Sequence, residues 1–440
     1  MIDCHTGIEL YEKAKKIIPG GTQLLSKRPE IFLPDQWPAY YSHCKGVEVN
    51  DLDGNSFIDM SICGVGACIL GYADPDVDKA VKEAIDKGSM STLNCPEEVE
   101  LAEMLCELHP WADMVRYARG GGEAMSVAVR IARASSGRDK VAFCGYHGWH
   151  DWYLASNLSD DSNLDGQLLP GLDPDGIPRS LNNTAMPFHY NQPETLDAII
   201  NKYGDSIGAI VMEPVRHSAP AEGFLQYVRE TADSTGAVLI FDEVTSGFRM
   251  NIGGIHLMHG VNPDIAVFAK GMSNGYPMAA LIGTRSVMES AQRTFISSTY
   301  WTEKIGPAAA LATIRKMILH NVPMHLNKTG NAVRDIWLKA SAEQGVKIKI
   351  SGIPPLSILS LDYGDRSQAL HTLFTQEMLN RMFLASKAFY ATYAHSQEHV
   401  DAYGSAVKEV FQIIANTIAD NNLEVSLQGP VAHTGFKRLA

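Results

Sequence analysis

Long apolar runs, paired cysteines and blocks of positive charge are all missing from this 440-residue chain. No stretch reaches the roughly 18 apolar residues of a membrane span, and Met1-Ile-Asp-Cys-His-Thr6 has neither a basic lead nor a signal-peptide core. The expected location is cytoplasmic. Seven cysteines, at positions 4, 44, 63, 68, 95, 106 and 144, are odd in number and form no CxxC pair. Such a set fits reduced thiols filling a core better than a disulfide frame or a zinc site. A formal net charge of −13 with no Lys/Arg-rich block argues against nucleic acid as a partner.

What is present is a globular composition, 45% hydrophobic and 20% charged, in a chain longer than one core usually serves. Two domains are expected: a large one over 60–315, and a small α+β one assembled from 1–59 and 316–440. Within the first, apolar runs alternate with amphipathic stretches, the pattern of a mostly parallel sheet sandwiched by helices. Strands are read at 114–118, 140–144, 207–213, 237–242, 264–269 and 279–283. Outside it, Val47 to Asp59 reads as a hairpin turning at Asp53-Gly-Asn55, after a helix over 9–18 that stops at Pro19-Gly-Gly21. A long helix follows Gly306, then strands near 346–350 and 356–361 and helices over 367–382 and 398–420. The stretch 159–183, rich in Asp, Asn, Gly and Pro, reads as the longest loop.

Four features sit where these strands end. Arg119-Gly-Gly-Gly-Glu123 joins a strand to a helix; its backbone N–H groups could hold a phosphate, or the glycines could be there for steric reasons alone. Asp242 ends the most apolar strand, in Leu239-Ile-Phe-Asp-Glu-Val244, where open α/β sheets bind ligands. A carboxylate buried there needs a partner: a protonated pyridine nitrogen, Arg249 or a loop N–H. Lys270 closes another apolar run, Asp264-Ile-Ala-Val-Phe-Ala-Lys-Gly271, and is either a desolvated amine fit for Schiff-base chemistry or a lysine that simply reaches water. Tyr146-His-Gly-Trp-His-Asp151 brings aromatics that could stack on a planar ring. The spacing of His147, His150 and Asp151 matches no zinc signature, and no metal is expected. The glycine turn, the aspartate and the lysine together call for an aldehyde cofactor with a basic ring nitrogen.

The ordered set Arg119-Gly-Gly-Gly-Glu-Ala124, Tyr146-His-Gly148, Met212-Glu-Pro-Val215, Ile240 to Arg249 (Ile-Phe-Asp-Glu-Val-Thr-Ser-Gly-Phe-Arg) and Lys270 resembles the class III aminotransferases among pyridoxal-phosphate enzymes of fold type I. The resemblance is greatest to the glutamate-1-semialdehyde aminomutase branch and runs from Pro19 to His395. It implies pyridoxal 5'-phosphate (PLP) as cofactor and Lys270 as the Schiff-base lysine. It further implies Asp242 at the pyridine nitrogen, Val244 and Tyr146 on the two ring faces, His147 beside them, and Gly121 and Gly122 at the phosphate. Thr299 matches the threonine that reaches the phosphate from a neighbouring subunit, which implies a homodimer with shared active sites.

Departures from the pattern concern substrate. The branch has Ser-Gly-Thr-Glu-Ala where this chain has Gly120-Gly-Gly-Glu-Ala124, so two hydroxyls are missing and backbone donors must do more. Thr22-Gln-Leu-Leu-Ser-Lys-Arg28 replaces the segment whose arginine takes the substrate carboxylate, leaving Arg28 as a stand-in. Ser218 occupies the place of a gating glutamate, with Arg216 nearby, and Tyr300, Trp301 and Glu303 replace smaller residues, serving either dimer packing or substrate contact. Arg28, Arg216 and Trp301 are the substrate candidates. The expected activity is transfer of an amino group from an amino acid, glutamate for example, to a small aldehyde or ketone by a ping-pong route through the pyridoxamine form. The alternatives are an aminomutase, a racemase or epimerase on the same scaffold, or a non-catalytic protein that keeps the cofactor.

Overall fold

A computed structural model describes residues 4–215 and 217–439. The chain forms two compact units, Pro75–Pro323 and one built from Met1–Asp74 with Met324–Ala440.

The continuous unit is organised on a seven-stranded sheet. Its spatial order is Met114–Ala118, Ala279–Gly283, Ile265–Phe268, Val238–Asp242, Ile207–Met212, Lys140–Cys144 and Ala185–Pro187. Only Ala279–Gly283 runs against the others, antiparallel to both neighbours. The central strands are buried along their whole length, which is why their sequences are continuous apolar runs: helices cover both faces. Side chains divide between those faces with a period of two. Val211, Ile240, Ile265 and Val267 pack with Ala124, Ala128, Ile131 and Ala132 of the helix Gly121–Ser136. Ile210, Met212, Leu239 and Phe241 pack with Leu196 and Ile199 of Pro193–Tyr203 and with Val228 and Ala232 of Phe224–Thr235.

All six strands read from the sequence form. The seventh, Ala185–Pro187, was not anticipated; it is a three-residue edge strand ending in proline, too short to show alternation. The long loop keeps only a turn at Arg179–Leu181 as regular structure. It is nevertheless pinned: Gln167 is buried, accepts the N–H of Gly145 at 2.7 Å and donates to the carbonyl of Phe188 at 3.1 Å.

The terminal unit carries two small sheets, one ordered Tyr41–Lys45, Glu48–Asp51, Ser56–Asp59, Phe383–Leu384 and the other Ile348–Ser351, Leu356–Leu361, Ala388–Tyr390. The expected hairpin is present. Its turn is held by Asp51, whose carboxylate takes the N–H groups of Asp53 and Asn55 at 3.0 and 2.8 Å, while Gly54 supplies φ +88°. Helices His5–Ile17, Ser367–Leu379 and Gln397–Asp420 complete it. Residues 321–345, to which the sequence reading assigned no element, form the helix Val322–Gln344, whose buried Val322, Leu326, Val333, Trp337 and Ala340 recur at three, four and seven. Among the described residues no helix is long and apolar enough to cross a membrane.

Candidate active site

Strand register places the chemistry. Cys144 pairs with Met212, Met212 with Phe241 and Asp242 with Val267, so these strands end together at one carboxyl edge of the sheet. The glycine turn, Tyr146 with His147, Glu213, Asp242 and Lys270 all lie at or just beyond those ends, where ligands of parallel sheets bind.

Asp242 is the hub. It is 4% exposed; Oδ1 accepts the N–H of Val244 at 3.0 Å and Oδ2 faces His147 Nδ1 at 2.8 Å. Of the partners considered for it, the loop N–H is therefore present, and the His147 ring stands at its other oxygen. Arg249 is buried nearby and donates from Nε to the carbonyl of Thr245 at 2.6 Å. His147 has both ring nitrogens engaged, the second facing the carbonyl of Cys144 at 3.2 Å. Trp152 stacks on the same ring with centroids 6.2 Å apart.

Lys270 leaves the sheet in the left-handed region, φ 47°, a conformation that a residue with a long side chain adopts rarely and that clusters at functional sites. Its Nζ donates to Thr245 Oγ1 at 2.8 Å. Burial first and the Arg249 guanidinium second push its pKa below that of an ordinary lysine, against the opposing pull of Asp242 and Glu213. The amine is thereby biased toward its neutral, nucleophilic form.

Gly121 and Gly122 open the 16-residue helix Gly121–Ser136, so their N–H groups are first-turn donors without intrahelical acceptors. The helix start is closely packed at Gly121 and against Gly148. A Cβ on Gly121 would stand 2.8 Å from Val244 Cγ1, and one on Gly148, at φ +101°, would stand 2.8 Å from Gly122 Cα. The glycines therefore let the helix start approach Val244 on one side and the Tyr146 to His150 turn on the other. Glu123 closes the turn by accepting the N–H groups of Arg119 and Gly120 at 2.9 and 3.3 Å. Tyr146 stays 39% exposed, while its backbone N–H donates to Glu213 Oε2 at 3.1 Å.

The sequence gives Glu213 and Thr245 no chemical role, and Arg249 only that of a candidate partner for Asp242. The available signal was position: Glu213 follows a strand end, and Thr245 and Arg249 follow Asp242 within one turn-rich segment. Arg119 was also missed as a tether. Its Nη2 donates to the carbonyls of Trp301 and Glu303 at 3.0 and 2.9 Å, and its Nε pairs with Glu303 Oε1 at 2.9 Å. Glu303 in turn caps the helix Ile305–His320 by accepting the N–H groups of Ile305 and Gly306 at 2.6 and 2.8 Å. The segment carrying Thr299 and Trp301 is thus tied to the glycine turn. Thr299 itself is exposed, and Trp301 packs against the core around the helix Gly121–Ser136.

Arg28 belongs to the terminal unit, where it is half-buried and its guanidinium packs over Gly20; Arg216 lies outside the described residues. Gly271-Met-Ser-Asn-Gly275 has the spelling of a hydrolase elbow, yet Ser273 is fully buried and donates to the carbonyl of Tyr276 at 2.6 Å. Gly204-Asp-Ser-Ile-Gly208, with the same spelling, leads into a strand instead of leaving one.

The donor set fits PLP on structural grounds: orphan N–H groups at a helix start for a phosphate, a buried carboxylate fixed by two donors for a ring nitrogen, and a desolvated amine. Comparison with known proteins agrees. The chain is 34% identical over 418 residues to a 3-aminobutyryl-CoA aminotransferase of Cloacimonas acidaminovorans, covering 91% of this chain and 95% of that one. It is 30% identical over 432 residues to a glutamate-1-semialdehyde 2,1-aminomutase of Methanothermobacter thermautotrophicus, covering 93% and 99%. Its fold matches the PLP form of the FumI protein of Sphingopyxis sp. MTA144 with a TM-score of 0.85 at 24% identity, over 94% and 97% of the two chains. The family model for class III aminotransferases matches residues 34–353, and with these relatives it shows that the chain belongs to the class III aminotransferases.

Proposed function

We propose that the chain is a PLP-dependent aminotransferase that takes an amino group from an amino-acid donor, glutamate first among candidates, and passes it to a small aldehyde or ketone. The observation that carries this reading is the environment of Lys270, a desolvated amine 2.8 Å from Thr245 Oγ1 with its pKa lowered. Bound there, the cofactor supplies an aldehyde carbon for attachment and a protonated ring that withdraws electrons from the substrate α-carbon.

The chain does the rest. Gly121 and Gly122 would hold the phosphate by their N–H groups, Val244 and Tyr146 would pack against the ring, and Asp242, fixed by His147 and the Val244 N–H, would keep the ring nitrogen protonated. Lys270 would hold the cofactor and, as a neutral amine, would move a proton at the substrate α-carbon. Thr299 serves the phosphate of a neighbouring subunit in a homodimer, and Arg28, Arg216 and Trp301 contact substrate. A tuned lysine of this kind speaks against a protein that only stores the cofactor.

An aminomutase reading has its own support, the 30% identity to aminomutases over most of the chain. The altered segments 22–28 and 300–303 speak against the semialdehyde substrate itself. One experiment separates the readings. Holoenzyme given glutamate alone should lose the visible absorbance of the cofactor and release one equivalent of 2-oxoglutarate. An isomer or epimer formed with no keto acid would place it with the mutases or racemases. Borohydride reduction that fails to label Lys270 would remove the enzymatic reading altogether.

A further inference from the structure

Within the terminal unit alone lies a cavity of about 250 Å³, lined by the helix Ser367–Leu379 and by residues of the 26–32, 62–65 and 386–390 segments. Ile31, Phe32, Ile62 and Val65 give it an apolar wall, and the polar residues Gln368, His371 and Lys387 line it as well.

His371 is 5% exposed, and its Nε2 accepts the N–H of Leu361 at 2.8 Å. The hydrogen of the neutral ring therefore sits on Nδ1, which is buried and has no protein acceptor. Burial, followed by the charge of Lys387, pushes this histidine down to about 3, so the ring is a fixed neutral donor at ordinary pH. An unpaired buried donor is costly and rare in native proteins. Lys387 adds a cation. Its Nζ donates to Gln368 Oε1 at 2.5 Å, and that amide is pinned by its own donation to the carbonyl of Ala432 at 3.0 Å. Burial alone lowers the lysine's pKa; no carboxylate works against it. Lys387 is partly buried, and among the described residues its other two ammonium hydrogens meet no protein acceptor, which leaves them to water or a ligand.

We propose that this cavity binds a small organic monocarboxylate, its head on Lys387 Nζ and His371 Nδ1 and its hydrocarbon against Ile31, Phe32, Ile62 and Val65. One ammonium beside a neutral N–H balances one negative charge; a phosphate dianion would bury a charge with no counterpart. The apolar wall asks for a tail, and the volume limits it to a few carbons.

Valerate tests the idea, because it has neither an amino nor a carbonyl group to react, and its failure to bind would leave the transamination reading untouched. Calorimetry on the holoenzyme should show valerate binding and no binding of the neutral valeramide. Lys387→Met should weaken valerate at least tenfold, and Lys387→Arg should keep it within a few-fold. In crystals soaked with 5-bromovalerate, the carboxylate should lie within hydrogen-bonding distance of both nitrogens, a readout that does not depend on how well the variants fold. Equal binding of acid and amide, unchanged affinity in Lys387→Met, or a cavity holding only ordered water would overturn the proposal.

Discussion

His147 Nδ1 stands 2.8 Å from Asp242 Oδ2, with both residues buried. The other ring nitrogen faces the carbonyl of Cys144, which can only accept, so Nε2 bears a hydrogen. A bare Nδ1 would then oppose a carboxylate lone pair, and a proton must lie between the two residues. His147 thereby fixes the direction of the carboxylate while the Val244 N–H fixes its other oxygen. A hydrogen bond to a charged group contributes roughly 1.5–3 kcal/mol, about ten- to a hundredfold in affinity. His147→Phe should therefore raise the PLP dissociation constant by that factor in equilibrium dialysis, with His147→Asn intermediate. A His147→Phe protein that binds PLP as tightly as the parent would remove His147 from the site.

The Lys270–Thr245 bond sets a pH dependence. Burial and Arg249 lower the pKa of Lys270; the Thr245 hydroxyl, accepting from Nζ, favours the ammonium and restrains that fall. Thr245→Val keeps the β-branched shape and removes the acceptor. The acid limb of the rate of cofactor attachment to apoenzyme, followed by absorbance, should move to lower pH, while the plateau rate at high pH stays put. A shift to higher pH would contradict the assignment.

How much of this was legible in the sequence depends on the distance over which each feature is encoded. The strands around Ile210, Ile240 and Val267 announce themselves because both faces are buried and every residue is apolar. Ala185–Pro187 carries too few residues for any period, and Val322–Gln344 is interrupted by polar residues between its buried positions. At the site, Asp242 and Lys270 were readable from strand ends. The long-range pairings were not: His147 is 95 positions from Asp242, and Arg119 is 184 from Glu303. Nothing local marks a pair that only the sheet order brings together.

Gly121 separates helix propensity from cofactor binding. Alanine is favoured over glycine in a helix by about 1 kcal/mol, so propensity alone predicts a more stable protein. The added methyl, however, would stand 2.8 Å from Val244 Cγ1 and 3.2 Å from Cγ2, and a β-branched side chain has little rotamer freedom with which to yield. Gly121→Ala should therefore weaken PLP binding at least tenfold by dialysis, a cost of about 1.4 kcal/mol. Adding Val244→Ala should remove the clash and recover part of that loss, although it also strips one ring face. A double variant no better than Gly121→Ala would show that the tight contact is not the cause.

Acid stability should be governed by three buried neutral histidines. Burial is the leading cause in each, taking His109 to about 4, His371 to about 3 and His395 to about 4. Each is committed by its bonds: His109 Nε2 accepts from Gly254 and His395 Nδ1 from Thr392, so protonation breaks a contact. An unfolded histidine takes up its proton near pH 6.5, whereas the folded ones wait until about 4 or below. Between those values the unfolded chain binds more protons, and stability must fall as pH drops from 6.5 toward 4, by about 1.4 kcal/mol per unit of separation per residue. Below 4 the contributions of His109 and His395 level off. Urea midpoints measured from pH 7 to 4.5 should trace this decline, before most carboxylates titrate. In His109→Gln the slope over that window should be shallower by one proton; an unchanged slope would mean that His109 is already charged in the folded protein.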